Sequence, residues 1–189
     1  MTTLLTCDGI RVGDSQIPPF TISKTEHVGL ALPADYRIEW NDLSRSLAGI
    51  SPMPQIRVAA RSSLIIPGEI QGTEQSTILD ILTARGVPPR AAETAVAAFG
   101  LESDDLYFSL QWTPRLVLEL RIARELNVEL VIFSSGGLDP LGLRAANAEI
   151  AKLLPQGAVI DLFTTNLIQH YESEFSFTKV IRCELLEKA

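Results

Sequence analysis

The sequence predicts an α/β domain in which antiparallel strands come first and a helical stretch interrupts an otherwise alternating series of strands and helices. Three observations carry this. Short alternating runs crowd the first 23 residues, apolar runs of strand length recur between segments of helical period, and residues 75–126 read as helices in succession. The chain has 189 residues, 46% of them hydrophobic and 21% charged, so a single domain with a substantial core is expected over 1–189.

Leu4 to Cys7, Ile10 to Val12 and the run IPPFTIS ending at Ser23 alternate like edge strands, and Pro18 and Pro19 suit an edge or a turn. HVGLAL, residues 27–32, is apolar throughout, as a strand buried on both faces requires. In IEWNDLSRSLAG, Trp40, Leu43 and Leu47 share one helical face, and Gly49 can end the helix. IRVAA (56–60) reads as a strand, and SSLIIPGEIQG as irregular. A helix over 77–85 closes at Gly86, and a second follows Pro88 and Pro89 and stops at Gly100. A third helix is expected over 115–126, then the strand ELVIF (129–133). Asp139 and Pro140 open a helix to residue 154, as cap and first-turn residue. GAVIDLF (157–163) is a strand, and FSFTKVIRCELL alternates like a last one.

Charge and composition exclude several functions. The net charge of −7 argues against a nucleic-acid surface, which needs clustered Lys and Arg. No segment approaches the length needed to cross a bilayer, and MTTLLTCDGIRVGD has no basic start and no apolar core, so it is not a signal peptide. A cytosolic chain is expected, reaching the inner membrane only through a partner. Cys7 and Cys183 make no C-x-x-C, and His27 and His170 have no ligand spacing, so no metal site is expected. Glu102, Asp104 and Asp105 read as a solvated loop. Gly136–Gly137 precedes a helix, but no lysine stands near it to complete a phosphate loop. Trp40 and Trp112 suit the core or an interface.

The order of these words resembles the ATP-binding domain of ABC transporters along nearly the whole chain. PPFTISKTEHVGLALP is similar to the strand entering that family's phosphate-binding loop, and LSRSLAGI to the helix after it. ILDIL and AAETAVAAFGLESDD resemble its helical subdomain, and RLVLELRIARELNVELVIF the helix after its signature loop with the Walker B strand. Gly137, Leu138, Asp139 and Pro140 match its D-loop, and AEIAKLLPQGAVIDLFTTN the segment that ends at its switch histidine. The resemblance implies a P-loop NTPase-like core with an N-terminal antiparallel edge and a helical subdomain over about 75–126.

The chemical parts of that family are missing. ATP binding needs G-x-x-x-x-G-K-[ST], whose backbone N–H groups and lysine hold the phosphates and whose hydroxyl holds magnesium. LPADYRIEWND, from Leu32, has no glycine, and none of Lys24, Lys152, Lys179 and Lys188 follows one. Asp35, Glu39 and Asp42 would repel a polyphosphate, with Arg37 offsetting part of that. After ELVIF, Ser134 and Ser135 stand where two carboxylates are needed. QWTPRL has Thr113 at the signature serine but Pro114 and Arg115 for its glycines, Asn166 stands at the switch histidine, and no glutamine stands near Arg61 to Ser63. The stacking aromatic expected near Val12 to Ser15 is also missing.

No catalytic, cofactor-binding or metal-binding residue is therefore expected, and no cofactor. The resemblance implies a pseudo-ATPase that pairs through Gly137, Leu138, Asp139 and Pro140 with an intact ABC ATPase, docks on a membrane permease through residues 78–110, or does both. A homodimer is a further possibility. A weak, atypical nucleotide-binding ATPase and a free-standing scaffold protein stay open as other function classes.

Overall fold

The computed structural model describes residues 2–12, 14–33, 40–67, 74–98 and 100–185. Its centre is a five-stranded sheet in the order β10-β5-β9-β8-β7, every neighbouring pair parallel. The strands are β5 (His27–Leu32), β7 (Ser63–Ile66), β8 (Leu130–Phe133), β9 (Ala158–Thr164) and β10 (Lys179–Arg182). All residues of β5, β8 and β9 are buried, which is why they read as continuous apolar runs.

Two small antiparallel sheets lie on one face. One has the order β4-β1-β6, from β1 (Thr3–Cys7), β4 (Phe20–Ser23) and β6 (Ile56–Val58). The other has the order β11-β3-β2, from β2 (Ile10–Val12), β3 (Ser15–Ile17) and β11 (Glu184–Leu185). Their apolar residues, among them Leu5, Cys7, Ile17 and Ile22, share a core with Leu30, Ile132, Ile160 and Leu162 of the parallel sheet. Leu43 and Leu47 of α1 (Trp40–Leu47) complete it, with Trp40 half-buried at its edge.

The other face carries α4 (Trp112–Glu125), α5 (Pro140–Leu153) and α6 (Ile168–Glu174). Successive residues of β9 point to opposite faces, so Ile160 and Leu162 enter the first core while Val159 and Phe163 enter the second. Phe163 stacks on Phe177 and meets Tyr171 edge-on. His27 lies against Phe175 and Phe177, and burial depresses its pKa to about 3, so it is a neutral core residue.

A third core joins α2 (Ile78–Ala84), α3 (Pro89–Ala97) and Tyr107. Thr77 and Asp80 form a reciprocal capping box at the start of α2, and Pro89 opens α3. Helix α4 serves two cores at once. Leu116, Leu120 and Ala123 pack toward the sheet, while Leu118 and Ile122 face α2 and α3. On α4, Glu119 is fully buried; it accepts hydrogen bonds from the Tyr107 hydroxyl and from Arg85 at 2.7 Å. Glu149 of α5 ties the two long helices together through Arg121 and Arg124 of α4, and pairs with Lys152 of its own helix.

Three readings are corrected. Ser63–Ile66, expected to be irregular, is the edge strand β7, and Pro67 ends it. The last alternating run is two strands in different sheets, β10 on β5 and β11 on β3. The third helix starts at Trp112 and not at 115, and α6 was not anticipated.

Glu119→Ala is expected to destabilise the chain by about 3–5 kcal/mol, because Arg85 and Tyr107 would keep their buried polar groups without an acceptor. Urea denaturation followed by far-ultraviolet circular dichroism checks this.

Candidate functional site

In an open parallel sheet, ligands bind beyond the carboxyl ends of the strands. A cavity of about 540 Å³ lies there, lined by Trp40, Asn41, Ser134, Gly136, Gly137, Thr164 and Leu167. Trp40 and Asn41 open α1, the helix that follows β5 across residues 34–39. Ser134, Gly136 and Gly137 belong to the loop from β8 to α5, and Thr164 and Leu167 follow β9. The phosphate-loop reading of Asp35, Arg37 and Glu39 falls outside the described residues, whereas Asp42 sits in the first turn of α1. The described lining offers an indole, a carboxamide, two hydroxyls and two glycines, and no charged side chain.

The two serines after β8 have different places. Ser134 faces the cavity, while Ser135 is fully buried beneath it. Ser135 donates two hydrogen bonds to Asp161 Oδ1, from its backbone N–H at 3.0 Å and its hydroxyl at 2.8 Å. Its carbonyl accepts from the Tyr171 hydroxyl at 3.1 Å. Asp161 is fully buried on β9 on the same face as Val159 and Phe163, and its Oδ2 has no partner among the described residues. Burial pushes its carboxyl up to about 8, and the two bonds from Ser135 offset this only in part. Sequence reasoning missed Asp161, although an acid inside the apolar run VIDLF was the available signal.

Of the D-loop-like residues, Leu138 turns inward and is only 8% exposed. Asp139 caps α5 by accepting from the Gly142 N–H at 2.7 Å, and Gly137 takes a φ of 88° that favours glycine. Gly137, Asp139 and Pro140 are exposed, and Leu141, just beyond them, is 74% exposed. The start of α4 is docked against this turn. Trp112 Nε1 donates to the Gly136 carbonyl at 3.3 Å, and Thr113 lies where a Cβ on Gly142 would be only 2.9 Å away. Arg115 stacks over the rings of Trp112 and Tyr107, at 5.0 and 5.7 Å.

Asn166 is not among the residues lining the cavity. It accepts from the Thr164 hydroxyl and lines a neighbouring cavity of about 450 Å³ with Thr165, Ile168, Gln169 and Arg182. Arg61 to Ser63 stand at the start of β7, the end of the sheet away from the cavity, where Arg61 pairs with Glu129. The position expected for the missing glutamine is thereby corrected: the segment beyond the carboxyl end of β7 contains Gln71, and residues 68–73 lie outside the described residues. The region near Val12 to Ser15 connects β2 to β3. Glu102 and Asp105 meet in a turn, and no cluster of metal-ligating side chains occurs among the described residues.

Asp161 has a consequence for stability. Its folded pKa of about 8 exceeds the ordinary 3.8, so between these values the folded chain holds a proton that the unfolded chain has lost. The stabilisation is full below the lower value and falls as pH rises toward the upper one. Asp161→Asn is expected to remove a contribution of about 1.4 kcal/mol per pH unit to that fall. Urea denaturation midpoints of both proteins between about pH 5 and about pH 8 check this.

The comparisons fit this geometry. No family model and no curated protein sequence matches the chain. Solved structures match over almost all of it. A metal-chelate type ABC transporter in an inward-facing conformation is 15% identical, with a TM-score of 0.75, covering 97% of this chain and 80% of that one. CbiO1 from Clostridium perfringens, part of the ABC transporter complex cbiONQ, is 14% identical, with a TM-score of 0.64 and coverages of 98% and 88%. The ATP-binding subunit of another ABC transporter is 16% identical, with a TM-score of 0.64 and coverages of 98% and 91%. The chain has the P-loop NTPase-like fold of ABC transporter ATP-binding subunits.

Proposed function

We propose that the chain is a non-catalytic subunit of an ABC-type assembly, a single domain that pairs with an intact ABC ATPase, docks on a membrane permease, or does both. One observation carries this reading. The described wall of the cavity at the strand ends is uncharged, where a magnesium triphosphate needs an ammonium group and carboxylates. Asp161 does not fill the gap, because it lies sealed beneath the loop and accepts both bonds from Ser135.

Two surfaces support the role of a partner. Gly137, Asp139, Pro140 and Leu141 form an exposed turn over a rigid cap, suited to pairing with another ATP-binding domain. A cleft of about 210 Å³ separates α1 and β7 from the end of α2, lined by Ile50, Leu64, Ile65 and Pro67 with Arg45 and Arg85. Leu106 and Phe108 are exposed within the helical region 78–110. This cleft and that region suit a helix of a permease. No helix of the described residues is long and apolar enough to cross a membrane, so attachment to one would run through such a partner.

Purification of the tagged chain from its own cells tests the reading. Recovery of a permease and an ABC ATPase with an intact phosphate loop is expected; recovery of soluble partners alone contradicts it. Leu141→Glu is expected to weaken pairing by about 2 kcal/mol or more, roughly 30-fold, while leaving the melting temperature of the isolated chain within error. Titration of the labelled chain with the recovered ATPase measures this.

A further inference from the structure

We propose that Asp161 is a proton-gated anchor: its neutral carboxyl group holds Ser135, and with it the 134–137 segment, against the end of the parallel sheet, and loss of the proton releases that segment. The device goes beyond the pairing role and does not depend on it.

The geometry makes the anchor one-sided. Both hydrogen bonds from Ser135 end on Oδ1, and Oδ2 is buried without a partner among the described residues. A neutral carboxyl group tolerates this arrangement, at the cost of one unmade bond. A carboxylate does not, because it would hold a full charge away from water with two donors and no cation among the described residues. On β8, which packs beside β9, the residue in register with Asp161 is Phe133. From α6, Tyr171 faces the site; its hydroxyl donates to Ser135, and the charge of Asp161 would further oppose its ionisation. The nearest way to solvate Oδ2 is to move the loop above it. That loop lines the cavity through Ser134, Gly136 and Gly137, so releasing it changes the cavity wall. The strand below is held on both sides and cannot yield as readily.

The chain carries its own reporters. Both of its tryptophans border the loop, Trp40 across the cavity and Trp112 through its bond to the Gly136 carbonyl. Tryptophan emission of the full chain is to be followed from about pH 6 to about pH 9.5, below the usual tyrosine and lysine range. Burial raises the Cys7 thiol and pushes Cys183 up to about 11, which moves both away from the expected midpoint. A single transition with its midpoint near about 8 is expected, with far-ultraviolet circular dichroism unchanged across it. Asp161→Asn keeps an acceptor for Ser135 and replaces the carboxyl proton with an amide N–H, so the transition is expected to vanish. Ser135→Ala removes a bond that the anchored loop makes and the released loop lacks, so its midpoint is expected to move downward. A flat wild-type curve, a transition that persists in Asp161→Asn, or a Ser135→Ala midpoint that stays or moves up overturns the proposal.

Discussion

The pairing of β5 with β9 constrains everything built around it. Six residues of each strand are in register, from His27 opposite Val159 to Leu32 opposite Thr164, and every one of the twelve is buried. Parallel strands in the middle of a sheet must be covered on both faces. The antiparallel strands and α1 cover one face, and α4, α5 and α6 cover the other. Because β5, β8 and β9 run in the same direction, the segments that follow them emerge together at one end of the sheet. The cavity is therefore a product of sheet polarity, and its existence does not require that its wall keep any particular chemistry.

Helix α4 extends that scaffold outward. It contributes Leu116 and Leu120 to the core over the sheet and Leu118 and Ile122 to the core of α2 and α3. Glu119 lies on this outer side and closes it through Arg85 and Tyr107. The first turn of the same helix touches the loop after β8 through Trp112 and the start of α5 through Thr113. The helical cluster and the cavity wall thus share one rigid element, and Ser135, tied to Asp161, fixes the other side of the same loop.

Much of the fold was legible in local patterns. Burial on both faces made β5, β8 and β9 continuous apolar runs, and Asp139 with Pro140 marked the start of α5. β7 was obscured because Ser63–Ile66 is short, only partly buried, and followed at once by Pro67. The break between β10 and β11 was hidden because one alternating run serves two sheets, with Cys183 as the switch. α6 is one short segment anchored by Tyr171 and Phe175, four residues apart, too little for a periodic signal. The site was less legible than the fold. The bond between Ser135 and Asp161 spans 26 residues and depends on how β8 and β9 align, which no local pattern reveals. The position sought for the glutamine failed for a related reason: Ser63–Ile66 did not read as a strand, and only strand direction shows which of its ends meets the cavity.

On the proposed reading, the parts of the fold shared with ABC transporter ATP-binding subunits are those that pack the chain. Asp139 caps α5, and Leu43 and Leu47 of α1 fill a core. Groups able to meet a triphosphate, which would serve no packing purpose, are on that reading not kept. Isothermal titration calorimetry of the full chain with magnesium ATP at millimolar concentration tests this most directly. No saturable heat is expected. Saturable binding with a Kd in the micromolar range would contradict it.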